Sequence, residues 1–182
     1  RASVDVLYMC WSNQDKLTDA EMFKREFEDM FKERSEEERL EIQKRYGTEM
    51  AYLESKERIR AISEDIIDHY TQEILPNGLK GQVVASSIVA ACRYKYELEN
   101  ALKRLISREE AKPDDERDDE LLKLMRFVKI CAVVTIMDNN EPGYVSLARR
   151  HAQDMDAVES FKKDFDYSKP ESGVAILCVC DR

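Results

Sequence analysis

The sequence has few glycines and few histidines, and their scarcity excludes several enzyme classes. Its five glycines are dispersed along 182 residues, so it contains no phosphate-binding loop of the Gly-x-x-x-x-Gly-Lys-Ser/Thr type. It also lacks a Gly-x-Ser-x-Gly nucleophile turn and a His-Glu-x-x-His zinc motif. Of its two histidines, His69 borders an apolar stripe and His151 lies in a polar stretch. We predict a structural or surface role for His69 and an exposed position for His151.

Long apolar runs and a regular cysteine framework are absent as well. No run approaches the roughly 20 apolar residues of a transmembrane helix, so no membrane partner is predicted. The cysteines are odd in number and irregularly spaced, which predicts reduced, buried thiols in a cytoplasmic protein. They are Cys10, Cys92, Cys131, Cys178 and Cys180. Cys178 and Cys180 share a face of one predicted strand, but no second pair completes a zinc site, and we interpret them as packed small hydrophobic residues.

Acidic residues outnumber basic ones, 38 to 29, which gives a net charge of -9. A protein that attracts a polyanion through its own field is normally basic. The composition therefore argues against a self-sufficient nucleic-acid binder and leaves open a local contact within a larger assembly. Eight of the twelve residues 109–120 are acidic, which predicts a solvated surface loop. This stretch lacks the spaced oxygens and central glycine of an EF-hand, so we predict no metal there.

Apolar spacing predicts a helical segment over residues 1–75. A capping box at residues 18–21 precedes a helix, a polar helix follows at residues 36–46, and residues 1–11 fit a short strand or a helix. A third helix carries Ile59, Ile62, Ile66 and Tyr70 on one face. Pro76-Asn77-Gly78 ends that helix.

Residues 76–182 are predicted to alternate strands and helices. The strands are residues 82–86, 127–137 and 173–180, and the helices are residues 88–106 and 158–165. Such apolar strands are typical of a parallel sheet with helices on its faces, so the predicted fold class is α/β. Functional loops follow the carboxyl ends of such strands, yet the last strand ends two residues before Arg182, and the first residue is Arg1 rather than Met. We therefore expect an excised piece of a longer polypeptide.

Two serines at the end of the first predicted strand form the most suggestive local feature. Ser86 and Ser87 follow Val84-Ala85 and lead into the helix that begins near Ile88. Backbone amides at a helix start, together with serine hydroxyls, form a site for a phosphate of a nucleotide or nucleic acid. The alternative is that Ser87 only caps its helix. The sequence favours neither interpretation over the other.

Three segments resemble one known family. Residues 75–87, LPNGLKGQVVASS, resemble the start of the second motor lobe in motor-nuclease (R) subunits of type I restriction enzymes. Residues 58–70 resemble the helix before that lobe. Residues 174–182, VAILCVCDR, resemble the strand that leads into helicase motif V. The segments occur in the expected order and spacing.

The resemblance implies a partial second RecA-like lobe over residues 76–182, within an ATP-dependent DNA translocase of helicase superfamily two. Ala85, Ser86 and Ser87 match motif IV, whose loop approaches the DNA backbone, and Asp181 matches the acidic residue at the threshold of motif V, near the lobe interface. Ile88 stands where many relatives have a basic residue.

For the full-length protein the resemblance implies ATP and Mg²⁺ as cofactors and duplex DNA as substrate. It implies the methylation and specificity subunits of the restriction complex as partners. The nuclease residues and the ATP-binding motifs would lie outside this chain, which is therefore expected to bind no cofactor and to be inactive alone. Two alternatives are a non-enzymatic helical interaction module and a lobe of another superfamily-two helicase.

Overall fold

A computed structural model describes residues 53–136 and 141–180 of the chain. All of them belong to one compact unit, residues 48–182. The helices predicted before residue 47 and the site residue Asp181 lie outside the described residues. The predicted domain boundary at residue 75 stays a prediction.

The first described helix, α1, spans Lys56–His69 and continues as a π-helix, Tyr70–Ile74, and a 3-10 turn, Leu75–Asn77. Gly78 ends this succession in the left-handed region, with φ 69°, where its amide donates to the Leu75 carbonyl. Glycine adopts this conformation without steric cost, so the predicted stop is confirmed. The buried face of α1 carries Ile59 and Ile67, so it lies slightly to one side of the predicted stripe.

After Gly78 the chain alternates strands and helices. The elements are β1 Gly81–Ala85, α2 Ile88–Glu110, α3 Asp119–Phe127, β2 Lys129–Val133, α4 Gly143–Asp154, α5 Ala157–Lys162, a 3-10 turn Pro170–Gly173, and β3 Val174–Cys180. None of these helices, nor α1, is long and apolar enough to cross a bilayer.

The three strands form one parallel sheet in the order β1-β3-β2. β3 lies at the centre, where Gly81 pairs with Ile176 on one side and Lys129 with Val174 on the other. The prediction of an α/β fold with parallel strands is confirmed.

Helices cover the sheet with two separate apolar clusters. Ile176 of β3 belongs to the larger cluster, with α1, α2 and α3, whereas its neighbour Leu177 belongs to the smaller one, with Ala152 of α4 and Ala157 of α5. Because successive strand residues face opposite sides of a sheet, the two clusters lie on opposite faces.

The predicted strand 127–137 and the predicted loop 109–120 need correction. Strand β2 covers Lys129–Val133 only. At its start, Phe127 ends α3 and Val128 alone separates helix from strand, and after its end residues 134–136 have no regular secondary structure. Asp118 caps α3 by accepting a hydrogen bond from the Leu121 amide, so helix begins within the predicted loop. Glu109, at the other end of the stretch, is buried rather than solvated.

The buried Glu109 carboxylate organises the loop that follows it. Its carboxylate accepts a hydrogen bond from the Asp118 amide at 3.0 Å and contacts the Lys112 ammonium at 2.6 Å. The hydrogen bond from Asp118 and the contact with Lys112 hold the pKa of Glu109 below its ordinary value. The residues between, 110–116, are exposed as predicted.

A further correction concerns α4, for which no helix was predicted. His151 lies in this helix and is half-buried rather than exposed, with Nδ1 4.0 Å from the Cys131 Sγ atom. Val145, Ala148 and Ala152 form the buried face of this helix, and Arg149 pairs with Glu141 just before it.

Candidate nucleic-acid interface at the carboxyl edge of the sheet

Strands β1 and β3 end side by side. Ala85, the last residue of β1, pairs with Cys180, the last residue of β3. Parallel strands deliver their carboxyl ends to one edge, and in open α/β sheets ligands bind outside that edge. Ser86 and Ser87 therefore leave the sheet next to the point where the chain continues from Cys180 towards Asp181.

Ser87 is the N-cap of α2. Its extended backbone, with φ -158° and ψ 167°, places Oγ 3.0 Å from the Ala90 amide, which donates to it. The Ser87 carbonyl accepts from the Ala91 amide at 2.9 Å. The capping role considered for Ser87 is thus confirmed, and a phosphate contact stays a prediction.

The Ser87 hydroxyl also donates a hydrogen bond to the carboxylate of Glu54, at 2.5 Å from Oε1. Arg93, nearly two turns further along α2, donates to the Glu54 carbonyl oxygen and lies 3.9 Å from Oε2. The side chains of Arg93 and Glu54 are 29% and 22% exposed. A carboxylate therefore occupies the start of α2, beside an arginine, where an anion is favoured by the helix dipole. Sequence reasoning missed Glu54, because nothing in the local pattern links it to Ser87.

Ser86 differs from Ser87. It is half-buried, in the bend between β1 and α2, and within the described ranges its hydroxyl makes no hydrogen bond. Val84, two residues earlier, is 66% exposed. The Ser86 hydroxyl and the Ile88 and Val89 amides are therefore the donors at the start of α2 that remain available to an external acceptor.

Arg149 of α4 lies near the end of β2, and its positive charge is neutralised by Glu141. Its guanidinium forms a bidentate pair with Glu141, at 2.6 and 2.8 Å, and donates to the Thr135 carbonyl at 3.2 Å. The hydrogen bonds with Glu141 raise the pKa of Arg149. Arg149 also lines a shallow cavity of about 360 Å³, with Gln153 and Asp156 as the other polar side chains. Since Glu141 satisfies its charge, Arg149 joins Glu141 and the Thr135 carbonyl to α4.

The cysteines are packing residues, as predicted, where the structure describes them. Cys92, Cys131 and Cys178 are buried and Cys180 is half-buried, all as free thiols. Burial raises the pKa of Cys92 and of Cys131 to about 11, so both are protonated at neutral pH and poor metal ligands. Within residues 53–136 and 141–180 no group of three or more His, Cys, Asp or Glu side chains is arranged to hold a metal.

Comparison of the chain with protein-family models, with curated proteins and with solved structures found no match.

Proposed function

We propose that this chain is part of the second RecA-like lobe of an ATP-dependent DNA translocase, in the restriction subunit of a type I restriction-modification system. The duplex would contact the carboxyl edge of the sheet. DNA translocation and cleavage would be activities of the full-length cytoplasmic protein, with ATP and Mg²⁺ bound by parts outside this chain.

The observation that carries the proposal is the pairing of Ala85 with Cys180. The family resemblance assigns DNA contact to the residues after Ala85 and a lobe-interface role to Asp181, far apart in the sequence. The adjacency of the ends of β1 and β3 at one edge of a parallel sheet supports the proposal, because it lets one surface serve both roles.

At Ser86 and the first turn of α2, the groups that would meet a phosphate are neutral donors. Ser86 supplies a hydroxyl, and the start of α2 supplies amides and the positive end of the helix dipole. Ile88 supplies no charge, so positioning rather than long-range attraction governs the contact. This mode of contact fits an acidic chain with a net charge of -9.

The alternative of a helical interaction module does not account for the parallel sheet or for the order of its strands. A lobe of another superfamily-two helicase is equally compatible with a parallel sheet, and it differs from the first proposal in its partner subunits. Co-purification with methylation and specificity subunits distinguishes the two.

The DNA contact is tested by titrating a fluorescein-labelled duplex with the wild-type chain and with Ser86→Ala, following anisotropy. Loss of one hydrogen bond to a charged phosphate should weaken binding at least about tenfold, the equivalent of about 1.5–3 kcal/mol. The dependence of affinity on salt should not change, because no cation is removed.

Ser168→Ala is the matched control. Ser168 is exposed in the segment that leads into β3, at the amino edge of the sheet, and its hydroxyl donates to Asp166. The affinity of the Ser168→Ala variant for the duplex should equal that of wild type. Equal affinities for wild type and Ser86→Ala would contradict the proposed contact.

A further inference from the structure

The anion position at the start of α2 is already occupied by a side chain of the protein. Glu54 precedes α1 in the chain, yet its carboxylate accepts a hydrogen bond from the Ser87 hydroxyl at 2.5 Å. Arg93 lies 3.9 Å from the other carboxylate oxygen and also donates to the Glu54 backbone carbonyl. Hydroxyl, guanidinium and helix start are the groups that a phosphate would use.

We propose that Glu54 is an internal competitor of the DNA phosphate, an autoinhibitory carboxylate that must leave Ser87 and Arg93 before DNA engages this edge. The inference rests on the proposed function, since it describes the regulation of the same site. It assigns to Arg93 the cationic contact that Ile88 does not supply at the position after the serines.

The charges and exposures explain why the contact is displaceable. Glu54 and Arg93 are partly exposed, so their attraction is screened by solvent and is weak enough for an external anion to replace. The Arg93 bond to the Glu54 backbone carbonyl does not require the carboxylate. Arg93 therefore keeps its bond to the Glu54 backbone when the Glu54 side chain moves away.

The test compares the full 182-residue chain with Glu54→Gln, using a short fluorescein-labelled DNA duplex at several salt concentrations. Removing one negative charge about 4 Å from a phosphate should raise affinity about fivefold. The salt dependence should steepen by about 0.9 in log-log slope, because Arg93 becomes free to neutralise one phosphate. In Glu54→Gln/Arg93→Ala the slope should return to the wild-type value.

Glu64→Gln is the matched control for charge. Glu64 pairs with Arg104 at 2.9 Å, and Arg104 lies about 25 Å along α2 from Ser87 at 1.5 Å per residue. That separation exceeds two Debye lengths of about 10 Å at 0.1 M salt, so Glu64→Gln should change affinity less than twofold.

The possible outcomes separate this inference from the function on which it rests. If wild type binds the duplex and Glu54→Gln binds it no more tightly than Glu64→Gln, the role of Glu54 is refuted and the DNA contact stands. If no variant binds, both are refuted. Should Glu54→Gln fail to fold, Glu54→Asp keeps the charge but shortens the side chain. Glu54→Asp should still bind the duplex more tightly than wild type, though by less than Glu54→Gln. A Glu54→Asp variant that binds the duplex with the same affinity as wild type would refute the inference.

Discussion

Ala85 at the end of β1 pairs in parallel register with Cys180 at the end of β3, although the two residues lie at opposite ends of the α/β region. β3 is the last of the three strands in the sequence, and it lies between β1 and β2 in the sheet. This arrangement brings Ala85 and Cys180, the last residues of β1 and β3, to one edge. The proposed DNA contact, its regulation by Glu54 and the stability of the start of α2 all concern this edge.

Ser87 and Ser86 should differ sharply in their effect on stability. Ser87→Ala removes the cap that accepts the Ala90 amide, so it should lower the free energy of unfolding by about 1 kcal/mol. Ser86→Ala removes no hydrogen bond within the described ranges and should cost less than about 0.5 kcal/mol. Urea denaturation of both variants measures the difference, and equal losses would contradict the assignment of the cap.

Gly173 should not tolerate a side chain. A Cβ atom there would lie 2.3 Å from the backbone oxygen of Phe127, so the start of β3 or the end of α3 must shift. We expect Gly173→Ala to cost about 1–3 kcal/mol of unfolding free energy, as overpacking does. Gly143→Ala is the control, because nothing lies within 4 Å of its Cβ position, and it should leave stability unchanged or raise it. A Gly173→Ala variant as stable as wild type would contradict the close approach.

Replacing Ser63 with alanine should stabilise the fold. Its hydroxyl is fully buried on α1 and has no hydrogen-bond partner in the described parts of the chain. Ser63→Ala removes that unsatisfied group and should raise the unfolding free energy by about 1 kcal/mol. Thr71→Val should lower it by a similar amount, because Thr71 Oγ1 donates to the Ile67 carbonyl at 2.8 Å. If denaturation curves showed that Ser63→Ala is less stable than wild type, the prediction would be contradicted, because the Ser63 hydroxyl would then make a hydrogen bond.

Asp166 should contribute to acid sensitivity. Hydrogen bonds from the Ser168 hydroxyl, the Lys169 ammonium and the Ser168 amide lower its pKa from 3.8 to about 2. A carboxyl group with a lowered pKa in the folded state stabilises the fold above its unfolded pKa, and this contribution is lost as the pH falls from about 4 to about 2. Asp166→Asn should therefore lose less stability than wild type across that window, as thermal melting at successive pH values will show. Parallel curves for the two proteins would contradict the pKa assignment.

The strands were predictable where an apolar run is bounded by turn residues. β1 begins at Gly81, one residue from its prediction, and β3 begins one residue after the predicted Gly173. The prediction for β2 is too long at both ends, because the apolar residues run on from α3 before the strand and continue through residues 134–136 after it. Without glycine or proline at that junction, the sequence does not mark the change from helix to strand.

The candidate site was predictable in part. The position of Ser86 and Ser87 at the end of a strand and the start of a helix follows from local pattern, and so does the cap. The Glu54 contact does not, because it joins residues on different elements through tertiary packing. The burial of Glu109 was missed for the same reason, since only the folded loop brings the Asp118 amide to its carboxylate.

Hydrogen–deuterium exchange on the unmodified chain, with and without duplex DNA, tests the central claim most directly. We expect DNA to slow exchange at the amides of residues 86–89, the start of α2, and to leave residues 166–173 at the opposite edge unchanged. Bound DNA that left residues 86–89 unaffected, or that protected residues 166–173 instead, would contradict the claim that the carboxyl edge of the sheet is the DNA interface.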